Sequence, residues 1–265
     1  MKMLRLALLS ICLLFAATAQ AAPVEPINIG LKDVIDTVEK SYRALEDVTA
    51  DFFQRSTMAR EQREMRADGT MALKMATSNS PLMFNFEYFR PTNHQIISNG
   101  KTMWTYLPQN RQVILSDVSF VFNPFRFDQD RDRASNFLQG LGRISKDFQI
   151  NFPYEMRDMD GNYKLELTPR RSSATIRQLF IVVHRDAVMN YVRDERTIVY
   201  NQTRNELNFP VLSTTVLDHN DNSTTLEFSN ILTNRRLSDS LFDFIIPAGV
   251  DVVRPPKIGA MPVRP

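Results

Sequence analysis

The sequence predicts a mainly β protein with helices, built as an antiparallel meander of about ten short strands that tends to curl or close. Three observations carry this. From Phe52 onward apolar and polar residues alternate at period two, turn chemistry interrupts the runs at short intervals, and an amphipathic helix pattern precedes them.

The first element is a leader. Lys2 and Arg5 precede or enter an apolar run centred on 6–17, and Ala19-Gln20-Ala21 supplies the small-x-small pattern that leader peptidases read. This predicts a cleavable signal peptide over residues 1–21. The run is too short to span a bilayer as a helix, and no later segment approaches the ~20 apolar residues required. Cys12, the only cysteine, lies inside the leader. Ile11 precedes it where a lipoprotein leader wants a small residue, so the mature chain is expected to be soluble, unlipidated and free of disulfides. Cleavage also removes Lys2 and Arg5 from the 32 basic residues, leaving parity with the 30 acidic ones. A neutral chain offers no bulk charge for nucleic acid or an anionic membrane.

Leu31, Val34, Ile35, Val38, Tyr42 and Leu45 recur at helical spacing, which predicts an amphipathic helix of about four turns with one buried stripe. The period then drops to two. Met71, Leu73 and Met75 share a face, as do Leu82, Phe84, Phe86 and Tyr88, with Met83, Asn85 and Glu87 opposite. Trp104 pairs with Tyr106 in the same way, Leu165 with Leu167, Leu226 with Phe228, and Phe242 with Phe244. Asp68-Gly69, Asn99-Gly100, Pro108-Gln109-Asn110, Asp160-Gly161-Asn162 and 218–222 carry the residues that tight turns demand. Between 124 and 151, Phe137, Leu138, Leu141 and Ile144 mark a second short helix, weakened by Gly140 and Gly142. A soft helix inside a β meander suits either a cover over one opening or a structural plug. Residues 22–254 read as one domain, and the four prolines of 255–265 mark a tail with little to pack.

Catalytic signatures are missing. His94, His184 and His219 stand far apart, outside metal or triad spacing, and no nucleophile elbow or phosphate-binding glycine loop is present. Asp128-Gln129-Asp130-Arg131-Asp132 opens like a calcium loop, but Arg133 stands where glycine is needed and Gln139 where glutamate is needed. Neither an enzyme nor a cofactor is expected. The apolar inventory is the positive signal: 18 Phe and 12 Met against one Trp. Neither side chain has a polar hydrogen to satisfy, and methionine adapts to irregular shapes. A barrel-like sheet lined this way either fills itself or encloses an apolar ligand.

An ordered set of segments resembles the outer-membrane lipoprotein carrier protein (LolA) family. These are Phe52-Phe53-Gln54, Gly69, Pro81-Leu82-Met83-Phe84-Asn85-Phe86, Arg90-Pro91, and Asn99-Gly100-Lys101-Thr102-Met103-Trp104-Thr105-Tyr106 with Pro108. Leu165-Glu166-Leu167-Thr168-Pro169 and Phe242-Asp243-Phe244 with Pro247-Ala248-Gly249-Val250 continue the likeness, which extends over most of 31–253. The resemblance implies an incomplete antiparallel β-barrel with amphipathic helices forming a lid over an apolar cavity. It further implies a monomeric periplasmic chaperone for lipoprotein acyl chains. Such a carrier takes cargo from an inner-membrane, ATP-driven release complex and passes it to an outer-membrane receptor. On that footing the expected lipid-binding residues are Leu73, Leu82, Phe84, Phe86, Tyr88, Trp104, Tyr106, Phe137, Leu138 and Leu141. A periplasmic sensor of lipoproteins or lipids on the same fold, or a carrier of another lipid, is the alternative. The sensors carry a second domain after the barrel, and the proline-rich ending here favours the carrier. Two departures from the family pattern stand out. Ser80 replaces the arginine that ties the lid, just before the strand proline, and 185–228 is longer than the family needs.

Overall fold

The computed structural model describes residues 28–119, 140–173 and 176–254. Its first element is the helix the spacing predicts, α1 (Leu31–Arg43). Gly30 donates its N–H to the Asp33 carboxylate at 3.0 Å, which fastens the helix start. Asp33 in the first turn and Lys40 and Arg43 in the last complement the helix dipole. Val34, Val38 and Tyr42 are buried and belong to the core that α1 shares with the sheet.

The strands follow as β1 (Asp47–Met58), β2 (Arg63–Lys74), β3 (Met83–Arg90), β4 (His94–Ser98), β5 (Thr102–Leu107) and β6 (Gln112–Asp117). A 3-10 turn at Leu141–Arg143 and the single-turn α2 (Ile144–Asp147) lead into β7 (Phe148–Asn151), β8 (Tyr163–Pro169) and β9 (Gln178–Val183). Then come α3 (Arg185–Arg193), β10 (Val211–Leu217), β11 (Ser223–Thr233) and β12 (Asp251–Val253). These twelve described strands form one sheet, ordered β12-β6-β5-β4-β3-β2-β1-β11-β10-β9-β8-β7. Its pairings are antiparallel apart from β12, which lies parallel to β6. β7 and β12 stand at opposite edges, so the sheet is open rather than closed. The long β1–β11 ladder, in which Phe52 faces Phe228, joins its two halves.

Turn chemistry reads correctly at Asn99-Gly100 and at Asp160-Gly161, where the glycines take φ of 81° and 80°. It misreads Asp68-Gly69. That pair lies inside β2 at a β-bulge against β3. A Cβ on Gly69 would fall 2.0 Å from the Glu87 carbonyl oxygen and 2.9 Å from the Phe52 ring. Glycine is needed there for close approach, not for a turn. The true β1–β2 turn is 59–62, where Gln62 takes φ of 48° with no glycine or proline to announce it.

One face of the sheet, with α1, encloses the main core. Leu165, Leu167, Leu179, Ile181 and Val183 are inaccessible to solvent within it, and each contributes roughly 1.5–3 kcal/mol by burial. The opposite, convex face carries a smaller core. Met83 packs there with Ala72, Leu237 and Phe242, beneath a 3-10 turn at Asp239–Phe242. Asn85 donates to the Leu241 carbonyl at 3.0 Å. Phe242 and Phe244 therefore do not form the strand that alternation suggests. They belong to a strap across the convex face, where Phe244 meets Tyr106 at 5.2 Å between ring centroids.

The stretch after Arg185 opens with α3. His184 caps it, its Nδ1 accepting the Asp186 N–H at 3.1 Å. Ala187, Val188 and Tyr191 are its buried residues. Polar contacts tie α3 and the following turn to α1. Lys40 donates to the Tyr191 hydroxyl at 2.7 Å, and Arg196 pairs with Asp33 at 2.8 Å.

Candidate functional site

Register decides which side chains reach the concave face. Leu73 pairs with Phe84, Met71 with Phe86 and Gly69 with Tyr88, so these residues share one side of the sheet. Phe84 is 1% exposed and Phe86 7%, with Leu73 and Leu82 equally enclosed. The rings meet edge to face: Phe84 and Phe86 at 5.9 Å, Phe52 and Phe86 at 5.7 Å, Phe52 and Tyr88 at 4.9 Å. Such pairs contribute about 0.5–1.5 kcal/mol each beyond their burial. Tyr88 is half-buried and donates its hydroxyl to Gln54 at 3.0 Å. Burial raises its phenol pKa.

Trp104 and Tyr106 do not join this group. Phe86 pairs with Ile96, and Ile96 with Thr105, which puts Thr105 and Met103 on the concave side. Trp104 and Tyr106 therefore face the convex side, opposite Ile97 and Gln95. Alternation shows that two residues share a face but cannot say which face is the interior. Of the second-helix residues, Phe137 and Leu138 lie outside the described residues. Leu141 is inaccessible to solvent in the 3-10 turn, which packs against α1.

A cleft of about 470 Å³ opens between the end of α1, the end of β2 and the 140–146 segment. Tyr42, Leu45, Met75 and Leu82 give it an apolar floor, and Arg43, Arg143 and Lys146 stand among its lining with Glu39. Its volume is within the range of pockets that hold small ligands. The Tyr42 hydroxyl is buried with no hydrogen-bond partner among the described residues, and burial pushes its pKa upward.

Two residues that the sequence did not single out hold the wall of this cleft. The Glu39 carboxylate accepts the Ser145 N–H at 2.7 Å. Arg43 donates through Nη1 to the Gly142 carbonyl and, at 3.4 Å, to Glu39. An acidic residue four positions before a basic one on a helix reads as a solvated pair, which conceals this role. Ser80 makes no such tie. Its carbonyl accepts the Thr77 N–H at 2.8 Å and its own N–H donates to the Thr77 hydroxyl at 3.1 Å, within one loop. The segment beside the cleft is thus tied by α1 rather than from the position before the strand proline.

The arrangement offers apolar enclosure with charge at the rim. Among the described residues, no three His, Cys, Asp or Glu side chains gather as a metal would need, and no helix is long and apolar enough to cross a membrane. Comparison with known proteins identifies the family. The family model for the outer membrane lipoprotein carrier protein LolA matches residues 43–193. An outer-membrane lipoprotein carrier protein of Histophilus somni is 23% identical over 231 residues, covering 84% of this chain and 89% of that one. Another, from Francisella tularensis subsp. novicida, is also 23% identical, over 86% of this chain and 91% of its own. Among solved structures, a LolA superfamily protein from Nitrosomonas europaea superposes with a TM-score of 0.36 at 13% identity, covering 82% of this chain and 99% of that one. With more than half its length matched by the family model, and with an open antiparallel sheet carrying helices over its apolar face, the chain belongs to the LolA family of outer-membrane lipoprotein carrier proteins.

Proposed function

We propose that this protein is a periplasmic carrier that shelters lipoprotein acyl chains between the inner and outer membranes. The observation that carries the reading is the cleft: an apolar floor continuous with the aromatic concave face, walled by a segment that α1 holds through polar contacts. Leu73, Leu82, Phe84, Phe86 and Tyr88 would line the path of the chains, with Leu141 over them. An ATP-driven release complex would load the carrier, and an outer-membrane receptor would empty it.

The energetics suit a carrier that exchanges one apolar phase for another. Each methylene taken from water gains about 0.8 kcal/mol, so three long chains would exceed the practical ceiling of ~18–21 kcal/mol for noncovalent binding. Cargo that never samples water needs only an approximate match with the membrane, followed by a slightly better receptor. An empty carrier must still hide its apolar surface, since exposed patches promote association. A wall tied by a few hydrogen bonds meets both needs, because such contacts break and re-form at small net cost.

The decisive experiment is to purify the mature protein from the cell envelope and identify co-purifying molecules by mass spectrometry. Triacylated lipoproteins that transfer onward to outer-membrane fractions support the carrier. Lipoproteins held together with a regulatory protein, and never transferred, would support a sensor instead.

A further inference from the structure

An acyl chain is neutral and gives a cation nothing to bind, yet three cations among the described residues rim the cleft. Two are balanced. Arg143 pairs with Asp147 through Nε and Nη2, at 3.0 and 3.1 Å. Arg43 shares Glu39 with Ser145, and its contacts to Glu39 and Gly142 both use Nη1. Lys146 is different: it is exposed, lines the cleft, and has no ion pair or hydrogen bond among the described residues. Glu39, the one acidic residue of the lining among the described residues, is already engaged by a backbone N–H and by Arg43. Among the described residues the mouth therefore carries an uncompensated positive charge, beside an apolar floor of Leu45, Met75 and Leu82.

We propose that the cleft recognises an anionic phospholipid, with acyl chain on the apolar floor and phosphate at Lys146 and the unused nitrogens of Arg43. This rests on the carrier reading and adds a ligand class to it. Lysine suits the task because its flexible stem follows apolar surface while its ammonium reaches the rim. Charge-assisted bonds to phosphate are stronger than neutral ones, and at a partly enclosed mouth they are screened less than on open surface.

The test compares three probes of the mature protein by calorimetric titration: lysophosphatidylglycerol, a monoacylglycerol of the same chain length, and glycerol phosphate. The phospholipid should bind about tenfold more tightly than the neutral amphiphile, as one charge-assisted contact provides. That preference should shrink as salt rises from about 0.05 to 0.5 M. Lys146→Gln should reduce it severalfold, and Arg43→Gln with Lys146→Gln should abolish it. If the double variant does not fold, Lys146→Gln alone decides, since Lys146 is exposed. Equal binding of the charged and neutral chains, or a preference untouched by Lys146→Gln, overturns the proposal. So does glycerol phosphate binding as tightly as the lysolipid, which would mean an anion site without a lipid. Uptake of a triacylated lipoprotein by the wild-type protein without any charge preference sinks this inference alone. Failure to take up any of the lipoprotein, the monoacylglycerol and the lysolipid sinks the carrier reading with it.

Discussion

The buried carboxylate of Glu39 accepts the backbone N–H of Ser145 at 2.7 Å, joining the last turns of α1 to the first turn of α2 across more than a hundred residues of sequence. A hydrogen bond to a charged group contributes roughly 1.5–3 kcal/mol. Glu39→Ala should therefore loosen 140–147 while leaving the sheet intact. Hydrogen exchange is the measurement: protection in 140–147 should fall, with β8 and β9 unchanged, and cargo release should quicken. Uniform loss of protection would mean that Glu39 supports the whole fold rather than this wall.

Gly69 is the position where β2 tolerates no side chain. Its missing Cβ leaves room for the Glu87 carbonyl and for the Phe52 ring, both of which an alanine would strike. Backbone must move to admit it, so Gly69→Ala should destabilise by about 1–3 kcal/mol, as overpacking does. Chemical denaturation would measure this. A variant as stable as the parent would show that the bulge yields easily.

Leu82 and Trp104 separate the two faces of the sheet. Leu82 lines the cleft, whereas Trp104 lies opposite Ile97 on the convex side. Leu82→Asn should lower acyl-chain uptake at least about tenfold by placing an unsatisfied amide on the apolar floor. Trp104→Ala should leave uptake within about twofold, with any loss confined to stability. Reversal of that order, read by lipoprotein transfer from membranes, would place the site on the convex face.

These two residues also show how far the sequence can be read. Period two in 82–88 gave a strand whose interior face is the observed one, because four large apolar residues in a row on one side leave no doubt about burial. At 102–107 both faces carry bulky residues, and only the pairing of Met103 with Ser98 reveals that Trp104 points outward. The strap with Phe242 and Phe244 supplies the cover that makes an outward aromatic tolerable, and such long-range cover leaves no local signature. The α1 stripe was legible for the same reason as 82–88. Glu39 and Arg43 were not, since their partners are backbone groups far along the chain. α3 had a readable signal, Ala187, Val188 and Tyr191 behind the His184 cap, hidden by its neighbours in an apolar strand.

His184 gives the fold an acid-sensitive point. Its Nδ1 accepts the Asp186 N–H, which requires an unprotonated ring nitrogen. Burial is the main cause of its pKa lying below 6.5, opposed by Asp186 and Glu206 and reinforced by Arg204 and Arg185. In the unfolded chain the ring takes a proton near pH 6.5, while the folded ring resists it. The unfolded state then binds more protons, so the stabilisation is fully present above pH 6.5 and is lost as pH falls through it toward the lowered folded value. Protonation also removes the cap acceptor, a loss of about 1 kcal/mol for α3. His184→Asn keeps a side-chain acceptor that does not titrate. It should match the parent at neutral pH within about 1 kcal/mol and show a shallower loss of melting temperature below pH 6.5. Hydrogen exchange in α3 should report the same difference, with early loss of protection in the parent alone. Superimposable acid limbs for the two proteins would assign the acid sensitivity to other groups.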